Sequence, residues 1–146
     1  MRRLDKFGIV LFALGLVLLA NAVWMLLAPA GWYRDLPAGV PDTGPFNFHF
    51  VRDIGATYLT VGVGLLWGAR QRQFRVPVVA LAALFHVLHA ATHVLDTMAG
   101  RLPSRHWLLD FPGVYLPTLA LVAATVFAWR SYEQESDARN RVAERS

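Results

Sequence analysis

Three histidines and an aspartate recur at helical spacing inside one apolar run. His86, His89, His93 and Asp96 sit among Val, Ala, Leu and Phe between Val76 and Asp96. At 100° per residue they fall at roughly 0°, 300°, 340° and 280°, which is one face of a helix. Imidazole is the side chain of proton transfer and of metal ligation near neutral pH. His89 and His93, four residues apart, have the spacing at which one helix offers two imidazoles to one metal ion. Ionisable groups in an apolar membrane segment need partners and mark a functional site.

The segment His49-Phe50-Val51-Arg52-Asp53 supplies a second set. His49 and Asp53 are i,i+4 neighbours on a helix, whereas Arg52 points away from Asp53 and its long side chain reaches towards the membrane interface. With an outer boundary near Asp96 and 1.5 Å per residue, His93 lies about 5 Å deep, His89 about 10 Å and His86 about 15 Å. Asp53 falls level with His93, where it either fixes a histidine tautomer or binds metal itself. Below it, Ala56, Thr60, Gly64 and Gly68 form a small-residue stripe that permits close helix approach. Packed on the next span, this stripe brings His49 and Asp53 beside His89 and His93; turned outward, it is a contact for a second copy or a partner protein. His106 and Asp110 are further candidates at the mouth of the site, although His106, next to Trp107, also reads as an ordinary interfacial histidine.

The elements that must carry these residues are membrane spans. Hydrophobic residues make up 55% of the 146 and charged residues only 16%, against about a quarter charged in a soluble domain. Mean hydropathy is +0.39. Four apolar stretches, about Phe7–Leu27, Phe50–Trp67, Val76–Leu95 and Leu109–Trp129, each approach the ~20 residues that cross a bilayer. They predict an all-α, four-helix transmembrane bundle formed by a single domain over residues 1–146, with residues 130–146 as a charged tail. Glu135–Arg139 and Asp137–Arg141 extend that tail helically. Pro29, Pro37, Pro41 and Pro45 mark the long first connection, and the basic turn around Arg70–Arg75 joins the second and third spans.

Orientation follows from the positive charges. Ten of the 14 Lys and Arg residues fall in the two tails and the Arg70–Arg75 turn, and four (Arg34, Arg52, Arg101 and Arg105) on the other side. Both termini are therefore expected in the cytoplasm. Ala28-Pro29-Ala30 resembles a signal-cleavage site, but the preceding apolar stretch, about 21 residues, exceeds a 7–15-residue signal core, so the first helix is expected to be retained. The basic residues, giving a pI near 10.1, follow this topology pattern and not a nucleic-acid-binding stripe. The chain has no cysteine, which removes disulfides, thiolate metal sites and thiol nucleophiles. Only Lys6 among the basic residues is lysine, the bias of a GC-rich bacterial genome, and the expected location is the bacterial inner membrane.

No nucleophile–base arrangement, phosphate loop or dinucleotide fingerprint occurs, so an enzymatic activity is neither indicated nor excluded. Three readings compete for the polar face of His49, Asp53, His86, His89, His93 and Asp96. The first is metal or haem ligation, with zinc, copper, iron or b-type haem as candidates. The second is a metal-free pocket for protons or a small ligand, and the third a structural network in an accessory subunit. The lipid bilayer is the one partner the composition requires. The run Asn47-Phe48-His49-Phe50-Val51-Arg52-Asp53-Ile54-Gly55-Ala56-Thr57-Tyr58-Leu59, with the histidine-bearing third span, resembles small four-helix bacterial membrane proteins of the loosely DoxX-like kind. That resemblance implies a four-helix integral membrane protein. The sulfur or quinone redox chemistry of some DoxX-type proteins has no matching motif in this chain.

Overall fold

The computed structural model describes residues 3–144. All described secondary structure is helical: α1 (Lys6–Leu27), α2 (Pro29–Asp35), a 3-10 turn at Val40–Thr43, α3 (Phe48–Arg70), a second 3-10 turn at Arg72–Phe74, α4 (Arg75–Met98), α5 (His106–Leu109), a π turn at Phe111–Tyr115, and α6 (Leu116–Ala143). Local chemistry sets the boundaries. The Asp5 carboxylate caps α1 by accepting from the Gly8 amide at 2.7 Å, and Asn47 caps α3 by accepting from Phe50 N–H at 3.0 Å. Pro29 opens α2 at its first position, and Gly100, at φ 70°, follows the end of α4.

Three of the four long helical segments are long and apolar enough to cross a membrane: Lys6–Leu27, Arg72–Met98 and His106–Ala143. The sequence led us to expect four. The segment that falls short is α3, whose 23 residues include His49, Arg52 and Asp53 in its first two turns. The fourth stretch also begins differently. Leu109–Tyr115 forms the end of α5 and the π turn, with Pro112 inside the turn, and regular α-helix starts at Leu116. The tail remains helical to Ala143, so α6 runs 28 residues.

Helix α1 lies antiparallel against α3 along a seam of small residues seven apart. Gly8 faces Ala69, Gly15 faces Gly62, and Ala22 faces Gly55; all six are buried. A Cβ added at Gly8 would stand 2.8 Å from the Ala69 carbonyl oxygen, and one at Gly62 2.9 Å from Leu19 Cγ. These distances are too short for any larger residue, which is how backbones come into contact in apolar surroundings. Leu11, Leu18, Met25, Val51, Tyr58 and Leu65 fill the intervening positions. The stripe expected to make the close approach, Ala56/Thr60/Gly64/Gly68, divides in two. Gly64 and Gly68 sit beside Val78 of α4, while Ala56 and Thr60 are exposed.

Helix α4, with Val79, Ala82, Ala83, His86 and Ala90 buried, packs on the π turn and α6, where Val114, Thr118, Leu121 and Ala124 are buried, and one continuous core joins the two pairs. The two ends of these packed helices are fastened by different chemistry. At the end holding the α3–α4 turn, Asp5 receives a bidentate Arg75 (2.7 and 2.9 Å) and Arg72 (2.8 Å), and the Phe7 ring of α1 meets the Phe127 ring of α6 tilted, with centroids 4.9 Å apart. Arg75 hydrogen-bonded to Asp5 draws that carboxyl down to about 2; burial opposes the shift, and the Gly8 amide adds to it. The opposite end is closed by histidines and aspartates.

Candidate functional site: a histidine–aspartate chain at the end of α4

The site is built where the C-terminal half of α4 meets the α5–π-turn segment. Asp110 lies at the junction of α5 and the π turn, and its own carbonyl accepts from both Val114 N–H (2.7 Å) and Tyr115 N–H (3.2 Å). The wide turn, forced where Pro112 cannot donate, directs the Asp110 side chain inward. That side chain is only 2% exposed. It is shared by two imidazoles: Oδ2 lies 2.8 Å from His93 Nδ1, and Oδ1 lies 3.1 Å from His106 Nδ1.

The chain continues outward. His106 is fully buried, and its Nε2 lies 3.0 Å from Asp42 Oδ2, in the 3-10 turn of the α2–α3 loop. Arg105 closes the line with a short contact to the same Asp42 oxygen. The His106 ring beside Asp42, then the Arg105 guanidinium, hold that carboxyl below its ordinary range, against a smaller opposing effect of burial. Carboxylates only accept hydrogen bonds. With Asp42 and Asp110 both ionised, both ring nitrogens of His106 must donate, and the ring is an imidazolium. Two aspartates, one imidazolium and one guanidinium then balance in charge.

The same rule fixes His93. Its Nδ1–H donates to Asp110, and Nε2 lies outside that bond. Thr97 Oγ1 donates to the His93 carbonyl at 2.9 Å. His89 lies one turn deeper, ring centroid 4.7 Å from that of His93, and edge-on to Tyr58 of α3 at 6.2 Å. His86 is deepest: its Nδ1–H donates to the Ala82 carbonyl at 2.9 Å, and its buried Nε2 has no hydrogen-bond partner. Thr118 of α6 donates to the Val114 carbonyl and reaches the His86 carbonyl at 3.1 Å. The Tyr115 hydroxyl is also buried and unpartnered.

The residues expected from sequence divide accordingly. His86, His89 and His93 share one face of α4 and line a continuous run of rings. His49 and Asp53 do not join them: they pair with each other at 3.3 Å, with side chains 89% and 61% exposed. Asp96 pairs with Arg101 at 2.8 Å, and Arg52 donates to the Leu26 carbonyl while lying over the Phe48 ring. The carboxylate partner of His93 is therefore Asp110 and not Asp53, because the π turn and not α3 faces the end of α4. Among the described residues, no group of three or more His, Asp or Glu side chains is placed to hold a metal ion. His106 and Asp110, expected only at the mouth, are central. Asp42 was missed; it sits in a Pro/Gly-rich loop without periodicity, and its one sequence signal is a charged residue between Pro41 and Thr43.

No curated protein and no solved structure matches the chain. A family match covers residues 7–109, from the first turn of α1 to the last residue of α5, and its description is a domain of unknown function. That span takes in three of the long helices, the α4 histidines, Asp42 and His106, and it is on this match that the chain belongs to the DUF4345 family.

Proposed function

We propose that this is an integral membrane protein of four spanning helices, both termini cytoplasmic, whose outer end takes up and releases protons at His93. Helix α3 counts as a span in this reading. It pairs with α1 along its length, exposes Phe50, Val63 and Trp67 to the surroundings, and carries Arg52 and Asp53 near its end, where long side chains reach the interface. The orientation rests on the clustering of Lys and Arg at the end that holds Asp5 and the α3–α4 turn. The bacterial inner membrane, and a distant DoxX-like kinship, rest on residues 47–59 and the arginine bias.

The single observation that carries the proton reading is the Asp110 carboxylate shared between His93 and His106. It binds Nδ1 of both rings and leaves Nε2 of His93 outside the hydrogen-bonded line, with the His89 ring centroid 4.7 Å from that of His93. A proton arriving at Asp42 and Arg105, the exposed end of the line, has hydrogen-bonded groups to follow as far as His93. His89 and His86 extend the face inward from there. The test is proton flux into dye-loaded liposomes under an imposed pH gradient. Wild-type protein dissipates the gradient faster than folded Asp110→Asn by roughly tenfold or more, the scale of a positioned acid–base group. Equal flux from the two overturns the reading.

A second reading, metal held by His89 and His93, is favoured by one feature: a carboxylate that fixes Nδ1–H of a histidine is the usual support for an Nε2 ligand. Stoichiometric zinc, copper or iron in the purified protein, lost in His89→Ala, would select it over the proton reading.

A further inference from the structure

The opposite end of the bundle carries a second feature that the histidine chain does not use. A cleft of about 1290 Å³ opens between the start of α1, the α3–α4 turn and the C-terminal half of α6. Six cations line it (Arg3, Lys6, Arg70, Arg72, Arg75 and Arg139) against two anions, Asp5 and Glu135. Asp5 is already consumed by Arg75, whose guanidinium also donates to the Gly68 and Ala69 carbonyls and is 12% exposed. Arg72 spends one nitrogen on Asp5 and stays 63% exposed, leaving donors free. Lys6 and Arg139 are exposed on either side. Phe7, Phe12 and Phe127 also line the cleft, the first two half-buried and following the cationic start of α1 in the chain.

We propose that this cleft binds the phosphate of an anionic phospholipid headgroup. Cations alone would suit any anion. Phenylalanines lining the same cleft as the cations suit a molecule that is anionic at one end and hydrocarbon just beneath. Basic pockets between spanning helices on the cytoplasmic side are where such headgroups bind. Exposed Trp67 and Trp129 lie towards the same end, at the level where indole rings meet the headgroup layer.

The test is lipid retention by the full-length purified protein, measured by native mass spectrometry after exchange into phosphatidylglycerol or phosphatidylcholine. Phosphatidylglycerol is expected to be retained and phosphatidylcholine lost. The double substitution Lys6→Gln/Arg139→Gln should weaken retention about 25-fold, from two cations near an anionic group. Arg34→Gln, at the far end, should leave it unchanged. Equal retention of the two lipids, or undiminished retention in the double variant, overturns the proposal. Displacement of phosphatidylglycerol by millimolar inorganic phosphate would make the site one for the free anion and overturn the lipid assignment. Should the double variant fail to fold, wild-type retention that is insensitive to salt has the same overturning force.

Discussion

Asp110 reaches across the end of α4 to place Oδ2 2.8 Å from His93 Nδ1, while its other oxygen faces His106 four residues behind it. One nearly buried carboxylate thus serves two rings. Removing it strands both, so Asp110→Ala is expected to destabilise the protein by about 3–5 kcal/mol, the cost of leaving buried charge without its partner. Thermal unfolding in detergent measures this, and an unchanged midpoint would contradict it.

The three α4 histidines should respond differently to replacement by leucine. His86 carries a buried Nε2 without a partner, so removing the ring relieves an unsatisfied group, and His86→Leu should cost no more than about 1 kcal/mol. His93→Leu takes a donor away from Asp110 and should cost about 1–3 kcal/mol. Chemical denaturation of the two variants under one condition compares them directly.

Helix contact at α1–α3 gives a steric prediction. Gly62→Leu places its Cβ 2.9 Å from Leu19 Cγ and should destabilise by at least about 1–3 kcal/mol through overpacking. Gly64→Ala, two residues on, meets its nearest atom at 3.5 Å and should be tolerated. Equal melting temperatures for the two would mean that the seam lies elsewhere.

Acid stability should depend on Asp5. Its carboxyl is held at about 2 in the folded protein, chiefly by Arg75, against an ordinary value of 3.8. A lowered carboxyl pKa stabilises the fold above the unfolded value, and the benefit disappears as pH falls through the folded one. The contribution is therefore intact above about pH 4 and lost between about pH 4 and 2, on the order of 1–2 kcal/mol after allowance for solvent screening at a partly exposed pair. Asp5→Asn should flatten the stability profile over that window, and a profile parallel to wild type would remove Asp5 as the cause.

Helix periodicity made α1, α4 and the histidine face legible, because apolar residues and imidazoles repeat at 3.6 whatever they pack against. Two kinds of information were not local. The chain contains two histidine–aspartate pairs at i,i+4, His49/Asp53 and His106/Asp110, and spacing alone cannot rank them. What separates them is burial: Asn47 starts α3 with the first pair facing outward, whereas the π turn folds the second pair under α4. The packing seam was missed for a similar reason. Ala56, Thr60, Gly64 and Gly68 repeat every four residues, but Gly55, Gly62 and Ala69 repeat every seven, and only the seven-residue set matches Gly8, Gly15 and Ala22 across the pair. Asp42 enters the site from a loop in which no period exists to read.

The glycine seam also decides which parts of the molecule can move. Because α1 and α3 interlock backbone to backbone, neither slides nor rotates past the other without collision, and the two behave as one stiff plank. Towards the histidine end, α3 meets α4 through rings, Tyr58 edge-on to Phe85, His86 and His89 at centroid distances of 5.4–6.2 Å, and side-chain rings can tilt or shear where interdigitated backbones cannot. Any opening of the bundle would thus begin along the line of Tyr58, wetting the innermost histidines while the plank behind them stays intact.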